Sequence, residues 1–447
     1  MALTGIQIFK LLPKTNCGEC GVPTCLAFAM NLASGKAELA SCPYVSEEAK
    51  AQLAEASAPP IRPLTIGAGD HALKTGGETV LFRHEKTFFN PTGFGALITT
   101  DMAEDVISAK LRKWDTYQYE RVGLNLRPEL VAIKDMAGDA AKFKNVVKQV
   151  FETSNFSLVL MSEKPEVMKE GLAACPGGKP LIYAATKENW QAMADLAKEA
   201  NCPLAVKGEN LDDVIALSNN LTSAGLKDLV LDSGARGIKK VFEDQIAIRR
   251  SALSQKEKAL GFPTICLPFE MAKDLEMETL MGAVMVAKYG GLVIFSDFDG
   301  ESIFPLLLER LNIYTDPQRP MTVTQGIYEI NGPDENSPVC VTSNFSLTYF
   351  IVSGEIESSR IPTWLCIMDT EGLSVMTAWA AGKFVGDAVG IFIKKSGIAD
   401  KVKHRNLIIP GYAAAIAGDL EEELQGWKIM VGPREAAHLP KYLRELK

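Results

Sequence analysis

Four of the nine cysteines lie within the first 42 residues, and their spacing constrains the fold more than any other feature of the chain. These are Cys17, Cys20, Cys25 and Cys42. Three thiols therefore share one short, glycine-bearing loop whose backbone amides are free to turn towards inorganic sulfur. A helix predicted at 26–33 would point its positive N-terminus at an anionic centre, and Pro43 follows the last cysteine as in ferredoxin-type sites. We predict a [4Fe-4S] cluster held by the four thiolates.

Two other chemistries are open to these cysteines. Four cysteines also bind Zn²⁺ tetrahedrally, although zinc sites usually contain two Cys-x2-Cys pairs and only Cys17 and Cys20 form one here. Disulfides are disfavoured because nine is odd and the other five cysteines are scattered singly among apolar residues. Those five are Cys175, Cys202, Cys266, Cys340 and Cys366. We predict that they are core thiols in a reducing compartment.

The composition favours a soluble cytoplasmic protein whose partners are small molecules and other proteins. The 447 residues are 47% apolar, which is ample for the cores of two or three domains. We recognise no signal peptide, and the longest apolar stretch, 280–295, is interrupted by Lys288 and two glycines, so no membrane partner is expected. The net charge of −8 argues against a nucleic-acid partner.

Changes in composition predict how the chain divides. A cluster domain is expected at 1–57, a linker and hairpin at 58–92, a barrel at 93–313 and a last domain at 321–447. Pro and Ala dominate 54–63 without an apolar period, which is typical of a stiff linker. The hairpin is placed around 79–83 and 87–89, and a second proline-bearing break lies at 314–320.

Short apolar strands alternate with amphipathic helices from about residue 95. The predicted strands are 96–100, 130–135, 157–161, 180–185, 203–207, 228–232, 263–268 and 291–296. Each is followed by a helix-length segment, for example 189–200, 212–222, 271–289 and 302–311. Eight such units are the number in a (β/α)8 TIM-type barrel.

The alternation resumes after residue 320 and predicts an α/β domain of four or five strands. The strands are expected at 339–342, 363–368, 406–409 and 428–431, with helices beginning near 347, 375, 413 and 435. This pattern indicates a doubly wound, Rossmann-like sheet.

In such a sheet a ligand binds beyond the carboxyl ends of the strands. Four loops there carry small, hydroxyl-bearing or glycine residues, and we predict that they bind a cofactor. Their residues are Thr342, Ser343, Asn344, Asp369, Thr370, Glu371, Gly372, Leu373, Ser374, Val375, Gly411, Tyr412, Ala413, Gly432, Pro433 and Arg434. Any one loop is equally well explained by turn and cap chemistry, but four together favour a large ligand with many polar groups.

The barrel mouth is a second place for a ligand. Acidic residues follow several predicted strands there: Asp101, Asp135, Asp232, Asp297 and Asp299. Such carboxylates would suit a pterin or a metal, but helix capping explains them equally well. With only four histidines in the chain, a His-based acid–base centre is not expected, and we assign no catalytic residue.

The segment from Asn16 to Cys25, with Cys42, resembles the cluster domain of the large (gamma) subunit of the corrinoid iron–sulfur protein. That protein is the methyl carrier of the reductive acetyl-CoA (carbon monoxide dehydrogenase/acetyl-CoA synthase) pathway. The resemblance extends over the whole chain, as cluster domain, barrel and corrinoid domain. The cysteine motif is its specific part, and the loops match only by their position after strands.

The resemblance implies two cofactors, a [4Fe-4S] cluster and a cobalt corrinoid (cobamide). It implies a heterodimer with a small barrel subunit, and contacts with a methyltetrahydrofolate methyltransferase, acetyl-CoA synthase and a reductive activator. Many corrinoid proteins carry Asp-x-His-x-x-Gly, whose histidine binds cobalt from below. This chain lacks the motif, which fits a carrier without a protein ligand to cobalt and eases access to Co(I).

The implied role is that of a methyl carrier that acts with a corrinoid-dependent methyltransferase rather than a free-standing catalyst. Co(I) would accept a methyl group from methyltetrahydrofolate and deliver it to acetyl-CoA synthase. The [4Fe-4S] cluster would return cobalt from Co(II) to Co(I). Two alternatives are an iron–sulfur electron-transfer subunit without corrinoid and a barrel methyltransferase that binds folate itself.

Overall fold

The computed structural model describes residues 5–33, 37, 39–46, 48–50, 53, 59–121 and 123–446. Its contacts divide the chain into two compact units. The first contains Met1–Leu81, Phe88–Tyr117 and Pro128–Ile313, and the second contains Phe82–Thr87, Gln118–Arg127 and Tyr314–Lys447. Half of the predicted linker at 54–63 lies outside the described residues, because only 59–63 of it are described.

The first unit begins with two short helices, α1 (Gly5–Leu11) and α2 (Cys25–Ala33). The sequence-based prediction of a helix after Cys25 is confirmed. The two helices pack on each other so closely that a side chain at Gly5 would collide with the sulfur of Met30. Ile8, Phe28 and Ala29 form the centre of this small apolar core.

Eight parallel strands form the barrel of the first unit, and all eight were predicted from the sequence. They are β3 (Gly93–Thr99), β6 (Leu130–Lys134), β7 (Ser157–Met161), β8 (Leu181–Ala185), β9 (Leu204–Lys207), β10 (Leu229–Asp232), β11 (Ile265–Cys266) and β12 (Leu292–Phe295). Their order in the sheet is β10-β9-β8-β7-β6-β3-β12-β11. A parallel bridge between Leu231 and Thr264 brings the two ends of the sheet together, so the barrel is nearly closed.

Helices follow the barrel strands. They are α3 (Glu104–Asp115), α4 (Ala140–Thr153), α5 (Pro165–Ala174), α6 (Trp190–Ala200), α7 (Leu211–Ser223), α8 (Ile238–Arg250), α9 (Leu275–Ala287) and α10 (Gly300–Ile313). The strands are covered on both faces, and every residue of β7 and β8 is buried. Asp139, Asn210 and Asp274 cap three of the helices with side-chain oxygens, which confirms helix capping as a use of polar residues after strands.

The prediction of a hairpin at 79–83 and 87–89 is wrong, because neither segment forms a strand. Polar side chains bind its backbone instead: Glu78 accepts a hydrogen bond from the Phe89 amide at 2.9 Å, and Arg249 donates one to the Val80 carbonyl at 2.6 Å. Arg249 also pairs with Glu78 at 3.1 Å, with both side chains nearly inaccessible to solvent. A hairpin lies slightly earlier, between β1 (Leu64–Ile66) and β2 (Leu73–Thr75).

The second unit contains a five-stranded sheet. Its strands are β13 (Gly326–Ile330), β14 (Val339–Ser343), β15 (Thr363–Met368), β16 (Asn406–Ile409) and β17 (Lys428–Val431), in the order β13-β15-β14-β16-β17. The last four are parallel, and β13 is antiparallel to β15. The four strands placed from the sequence are confirmed, whereas β13 and the small hairpin of β4 (Tyr119–Arg121) and β5 (Leu124–Leu126) were not foreseen.

Both faces of this sheet are buried, as the alternation of its side chains shows. Val339, Val341 and Cys366 pack on one face with α13 (Gly386–Ser396) and α15 (Ala417–Glu423). Cys340, Leu365 and Ile367 pack on the other face with α11 (Ser346–Ser359) and α16 (Leu439–Glu445). Two shorter helices, α12 (Val375–Ala380) and α14 (Ile398–Lys401), complete this unit.

Strand β14 has β15 on one side and β16 on the other, so the direction of winding reverses between β14 and β16. The loops that leave these two strands therefore diverge and leave a crevice. In the described part of the chain, no helix combines the length and the apolarity needed to cross a bilayer.

Candidate cofactor sites

The cysteine segment, residues 12–44, packs around a small apolar core, and its four cysteines differ in burial. Cys25 and Cys42 are buried in that core, Cys20 packs against it, and Cys17 is exposed. Among the described residues, no three His, Cys, Asp or Glu side chains are grouped as closely as a single metal ion requires.

Local hydrogen bonds fix the loop between Cys17 and Cys25. The Asn16 side-chain oxygen accepts a hydrogen bond from the Cys25 amide at 2.8 Å, and the Thr24 hydroxyl accepts one from the Ala27 amide at 3.1 Å. Helix α2 therefore begins at Cys25 with its amide end directed towards the loop. Gly18 and Gly21 have φ of +77° and +79°, a conformation that residues with a side chain rarely adopt.

A tyrosine lies beside the cysteine segment that sequence analysis did not single out. The Tyr44 hydroxyl donates a hydrogen bond to Glu19 at 2.8 Å. That bond, with the Glu19 charge, raises the pKa of Tyr44, and smaller contributions come from Cys17 and Cys42. The phenol is therefore within electrostatic reach of two of the four cysteines. The only sequence signal for it was its position two residues after Cys42.

A cavity of about 460 Å³, the C-terminal cavity, opens at the carboxyl ends of β14 and β16. Seven of the residues predicted as cofactor ligands line it: Thr342, Ser374, Val375, Tyr412, Gly432, Pro433 and Arg434. Helix α11 adds a wall that sequence analysis missed, made of Thr348, Ile351, Val352 and Glu355. Ile351 is 47% exposed although it is apolar, and such a residue on a helix was the available signal.

The other predicted residues lie in the same loops without lining the cavity: Ser343, Asn344, Asp369, Thr370, Glu371, Gly372, Leu373, Gly411 and Ala413. Gly411 joins two loops, since its amide donates to the Pro433 carbonyl at 3.1 Å. A Cβ at Gly372 would lie 2.8 Å from the Thr322 methyl carbon, so this glycine faces the segment before β13.

Asn344 connects the loop after β14 with the loop after β15. Its side-chain oxygen accepts hydrogen bonds from the amides of Thr370 at 3.0 Å and Gly372 at 3.1 Å. Its side-chain amide donates to Asp369 at 2.9 Å. Because Asn344 is buried, these bonds are protected from water and hold the 369–374 loop beside the cavity.

Two buried hydroxyls near this loop have no hydrogen-bond partner in the described structure, those of Ser343 and Ser346. Ser343 ends β14 and Ser346 begins α11. A buried hydroxyl without a partner costs about 1–3 kcal/mol, so its retention calls for an explanation such as a bound ligand.

The barrel mouth contains a closed network of charged groups around Asp232. Arg236 donates two hydrogen bonds to Asp232, at 2.8 and 3.1 Å, and the Tyr183 hydroxyl donates a third at 2.6 Å. Burial lowers the pKa of Arg236, but the bonds to Asp232 outweigh this effect and the net shift is upward. Burial and the Asp232 charge raise the pKa of Tyr183 well above its usual value.

Of the other carboxylates predicted at the mouth, Asp297 pairs with Lys110 and accepts a hydrogen bond from the Trp114 ring nitrogen at 2.7 Å. Burial raises its pKa, but these donors outweigh that effect and lower it. Asp299 accepts a hydrogen bond from the Ser302 amide at 2.8 Å and so caps α10. Asp101 lies in the turn after β3.

The fold and these sites define a protein with an N-terminal cysteine segment, a parallel eight-stranded barrel and a C-terminal α/β sheet. A family model described as "CO dehydrogenase/acetyl-CoA synthase delta subunit" matches residues 63–443. A second, described as "Putative Fe-S cluster", matches residues 12–44 and so includes all four cysteines.

Full-length relatives refine this assignment. The corrinoid/iron-sulfur protein large subunit of Moorella thermoacetica is 46% identical over 99% of both chains. The acetyl-CoA decarbonylase/synthase complex subunit gamma of Methanopyrus kandleri is 37% identical over 99% of this chain and 98% of that protein. The chain belongs to this family of large, or gamma, subunits, which confirms the resemblance found in the sequence. The iron–sulfur cluster and the corrinoid, the two predicted cofactors, are both named in the Moorella description.

Among solved structures, the 7,8-dihydropteroate synthase of Vibrio fischeri is similar to 57% of this chain over its own full length, at 12% identity and a TM-score of 0.41. A likeness of this size does not indicate a shared site.

Proposed function

We propose that this chain is the methyl-carrying subunit of a corrinoid iron–sulfur protein in the acetyl-CoA pathway of a reducing cytoplasm. The observation that carries the proposal is the full-length 46% identity to such a subunit. A bound corrinoid would supply a cobalt nucleophile for methyl transfer from methyltetrahydrofolate to acetyl-CoA synthase, and a [4Fe-4S] cluster would supply the electron that returns oxidised cobalt to its active state.

The backbone of the cysteine segment suits an iron–sulfur cluster, whose sulfides accept hydrogen bonds from amides. Cys17, Cys20, Cys25 and Cys42 would hold the cluster, and α2 directs its N-terminal amides towards the loop. The positive φ at Gly18 and Gly21 turns the intervening backbone so that its amides are available to sulfide. The surrounding apolar core would shield one side of the cluster from water.

The C-terminal cavity fits part of a corrinoid. Its lining is mainly apolar, and the polar side chains in that lining include Thr342, Ser374, Tyr412 and Arg434. At about 460 Å³ the cavity has the size of a small-ligand pocket, so a complete corrinoid would remain largely outside it and accessible to other proteins.

Among the residues that line the C-terminal cavity, none is a histidine that could bind cobalt. The His404 ring has both nitrogens engaged, one 2.9 Å from the Ser337 carbonyl and the other accepting from the Asn406 amide at 3.1 Å. Both contacts lie at the amino ends of β14 and β16, away from the cavity. This arrangement supports a corrinoid without a protein ligand to cobalt.

The organisation into a cluster domain at 1–57, a linker at 58–92, a barrel at 93–313 and a doubly wound corrinoid domain at 321–447 is part of the proposal. So are the partners: a small barrel subunit in a heterodimer, a methyltetrahydrofolate methyltransferase, acetyl-CoA synthase and a reductive activator. The sheet order, with its reversal between β14 and β16, supports the doubly wound assignment.

Metal analysis of the chain purified without oxygen, together with its small partner subunit, tests the proposal. We expect cobalt in the ratio of one per chain and iron in the ratio of one cluster per chain. A cobalt-free preparation that still supports methyl transfer from methyltetrahydrofolate would contradict it. Iron without cobalt and without methyl transfer would indicate an electron-transfer subunit. Direct binding of methyltetrahydrofolate by the chain would favour a barrel methyltransferase.

A further inference from the structure

A second cavity lies at the carboxyl end of the barrel, far along the chain from both cofactor sites. This barrel-mouth cavity has a volume of about 410 Å³. It is lined by residues from the loops after β6 and β7, by Tyr183 of β8, by Lys207 of β9 and by Glu270 after β11. Ligands of barrel proteins bind at this end because the loops of several strands converge there.

Most charges around this cavity are paired. Lys134 contacts Glu270 at 2.8 Å, and Lys207 contacts Glu163 at 2.6 Å. Burial raises the pKa of Glu270, but Lys134 and Arg236 outweigh this effect and lower it, so Glu270 is a carboxylate at neutral pH. These pairs satisfy one another and form the polar walls of the cavity.

Lys164 is the exception among these cations. No carboxylate of the described residues lies within 4 Å of its ammonium group, although the residue lines the cavity. Its side chain runs across Gly138 so closely that a Cβ at Gly138 would collide with the ammonium nitrogen. This ammonium group, on an exposed residue, therefore lies against the backbone of the opposite loop at the cavity wall.

Asp135 is the matching anion. Its carboxylate accepts hydrogen bonds from the Gly138 amide at 2.7 Å, the Ser162 hydroxyl at 3.1 Å and the Ala137 amide at 3.3 Å. All three donors are neutral, and no described lysine or arginine contacts it. The cavity thus has one positive and one negative group without a charged partner.

We propose that the barrel-mouth cavity binds a small zwitterionic molecule. Its anionic group, a carboxylate or a phosphate, pairs with Lys164, and its protonated amine donates to Asp135. A ligand that carries both charges compensates both Lys164 and Asp135. A simple anion or a simple cation would leave one of these two residues without a charged partner. None of the residues that line it is among the predicted corrinoid or cluster ligands.

Isothermal titration of the complete chain with two probes tests the proposal. L-glutamate presents a carboxylate and an amine, and O-phosphoethanolamine presents a phosphate and an amine, so the stronger binder identifies the anionic group. Glutarate, which lacks the amine, is expected to bind at least about tenfold more weakly than L-glutamate, since it leaves Asp135 unpaired. We expect Lys164→Gln to weaken the better probe by about tenfold or more, because a charge-assisted bond is lost.

Lys169→Gln is the matched control, since Lys169 is an exposed lysine of α5, the helix that begins directly after Lys164, and does not line the cavity. This control variant is expected to bind the better probe as tightly as the unmodified chain does. In a second variant, Gly138→Ala, the added methyl group displaces the Lys164 ammonium and strains a backbone whose φ is +72°, so the charge is kept but binding should fall as well. The proposal is overturned if neither probe binds saturably, if Lys164→Gln binds like Lys169→Gln, or if glutarate binds as tightly as L-glutamate.

Discussion

Asn344 shows how one residue determines the shape of a loop that carries several predicted ligands. From the sequence it was a candidate to contact the cofactor, because it follows a strand. In the structure its side chain is used to bind the 369–374 loop through Thr370, Gly372 and Asp369. A single sequence gives no means of distinguishing a residue that touches a ligand from one that positions its neighbours, since both are polar residues in the same loops.

Replacing Asn344 with Ala should therefore loosen the 369–374 loop. Each buried amide left without an acceptor costs about 1–3 kcal/mol, and the amides of Thr370 and Gly372 both lose theirs. Hydrogen exchange at these two amides should accelerate, and corrinoid content should fall. Asn336→Ala is the control, because Asn336 is exposed on another loop of the same unit. Unchanged exchange in Asn344→Ala would contradict a positioning role.

The five thiols outside the cysteine segment are all buried, as the sequence predicted. Burial raises the pKa of Cys202 to about 11, and the pKa of Cys175, Cys266, Cys340 and Cys366 to about 12. A thiol of an unfolded chain titrates near about 8.5, so the folded protein holds these protons more tightly. The resulting stabilisation is complete below about pH 8.5 and is lost as the pH rises towards about 12.

Iodoacetamide at pH 8 should consequently leave these five thiols unmodified while the chain is folded, because only the thiolate reacts. Mass spectrometry of tryptic peptides would locate the label, and the same protein unfolded in guanidinium is the positive control. The free energy of unfolding should also decrease from pH 9 to pH 11. Labelling of Cys340 or Cys366 in the folded chain at the rate seen after unfolding would show that the C-terminal sheet opens readily.

At the scale of elements, long periodic segments were predictable and irregular ones were not. All eight barrel strands and four of the five C-terminal strands follow from short apolar runs bounded by turns. β13 was missed because its only neighbour in the sheet, β15, pairs with it in the antiparallel sense across a separation of more than 30 residues. The hairpin predicted around 79–83 and 87–89 does not form, and buried Arg249, which binds the Val80 carbonyl there, lies far away in sequence.

At the barrel mouth, Asp232 was predicted at a strand end, but its hydrogen-bond partners Tyr183 and Arg236 were not predicted. Arg236→Gln should leave the buried Asp232 carboxylate without its cation. Loss of one partner of a buried pair costs about 3–5 kcal/mol, and we expect about 2–4 kcal/mol here because Arg236 is 25% exposed. The barrel transition in calorimetry should fall by roughly 5–10 °C. Lys239→Gln, at a lysine 89% exposed at the start of the next helix, should leave it unchanged.

At the scale of the whole molecule, the two proposed cofactor sites draw on separate parts of the sequence. The four cysteines fall between residues 17 and 42, and the C-terminal cavity is built entirely from residues 340–439. The cysteine motif could be recognised because its ligands are close together in sequence. The cavity could be placed only at the level of loops, because its walls come from α11, β14, β16 and the segment before α16, which the sequence alone does not bring together.

This separation leads to the last prediction, that Cys17→Ala removes or degrades the iron–sulfur cluster and leaves corrinoid binding largely intact. Cys17 is exposed, so its loss opens no cavity in the apolar core that contains Cys25 and Cys42, and the fold should persist. Iron content and the cluster absorbance should drop, cobalt content should stay, and methyl transfer from the pre-reduced protein should continue while reactivation after oxidation fails. Cys202→Ala, outside the motif, is the control and should retain its iron. Loss of cobalt together with iron in Cys17→Ala, but not in the control, would mean that the cluster supports the corrinoid site through contacts that the separation in sequence conceals.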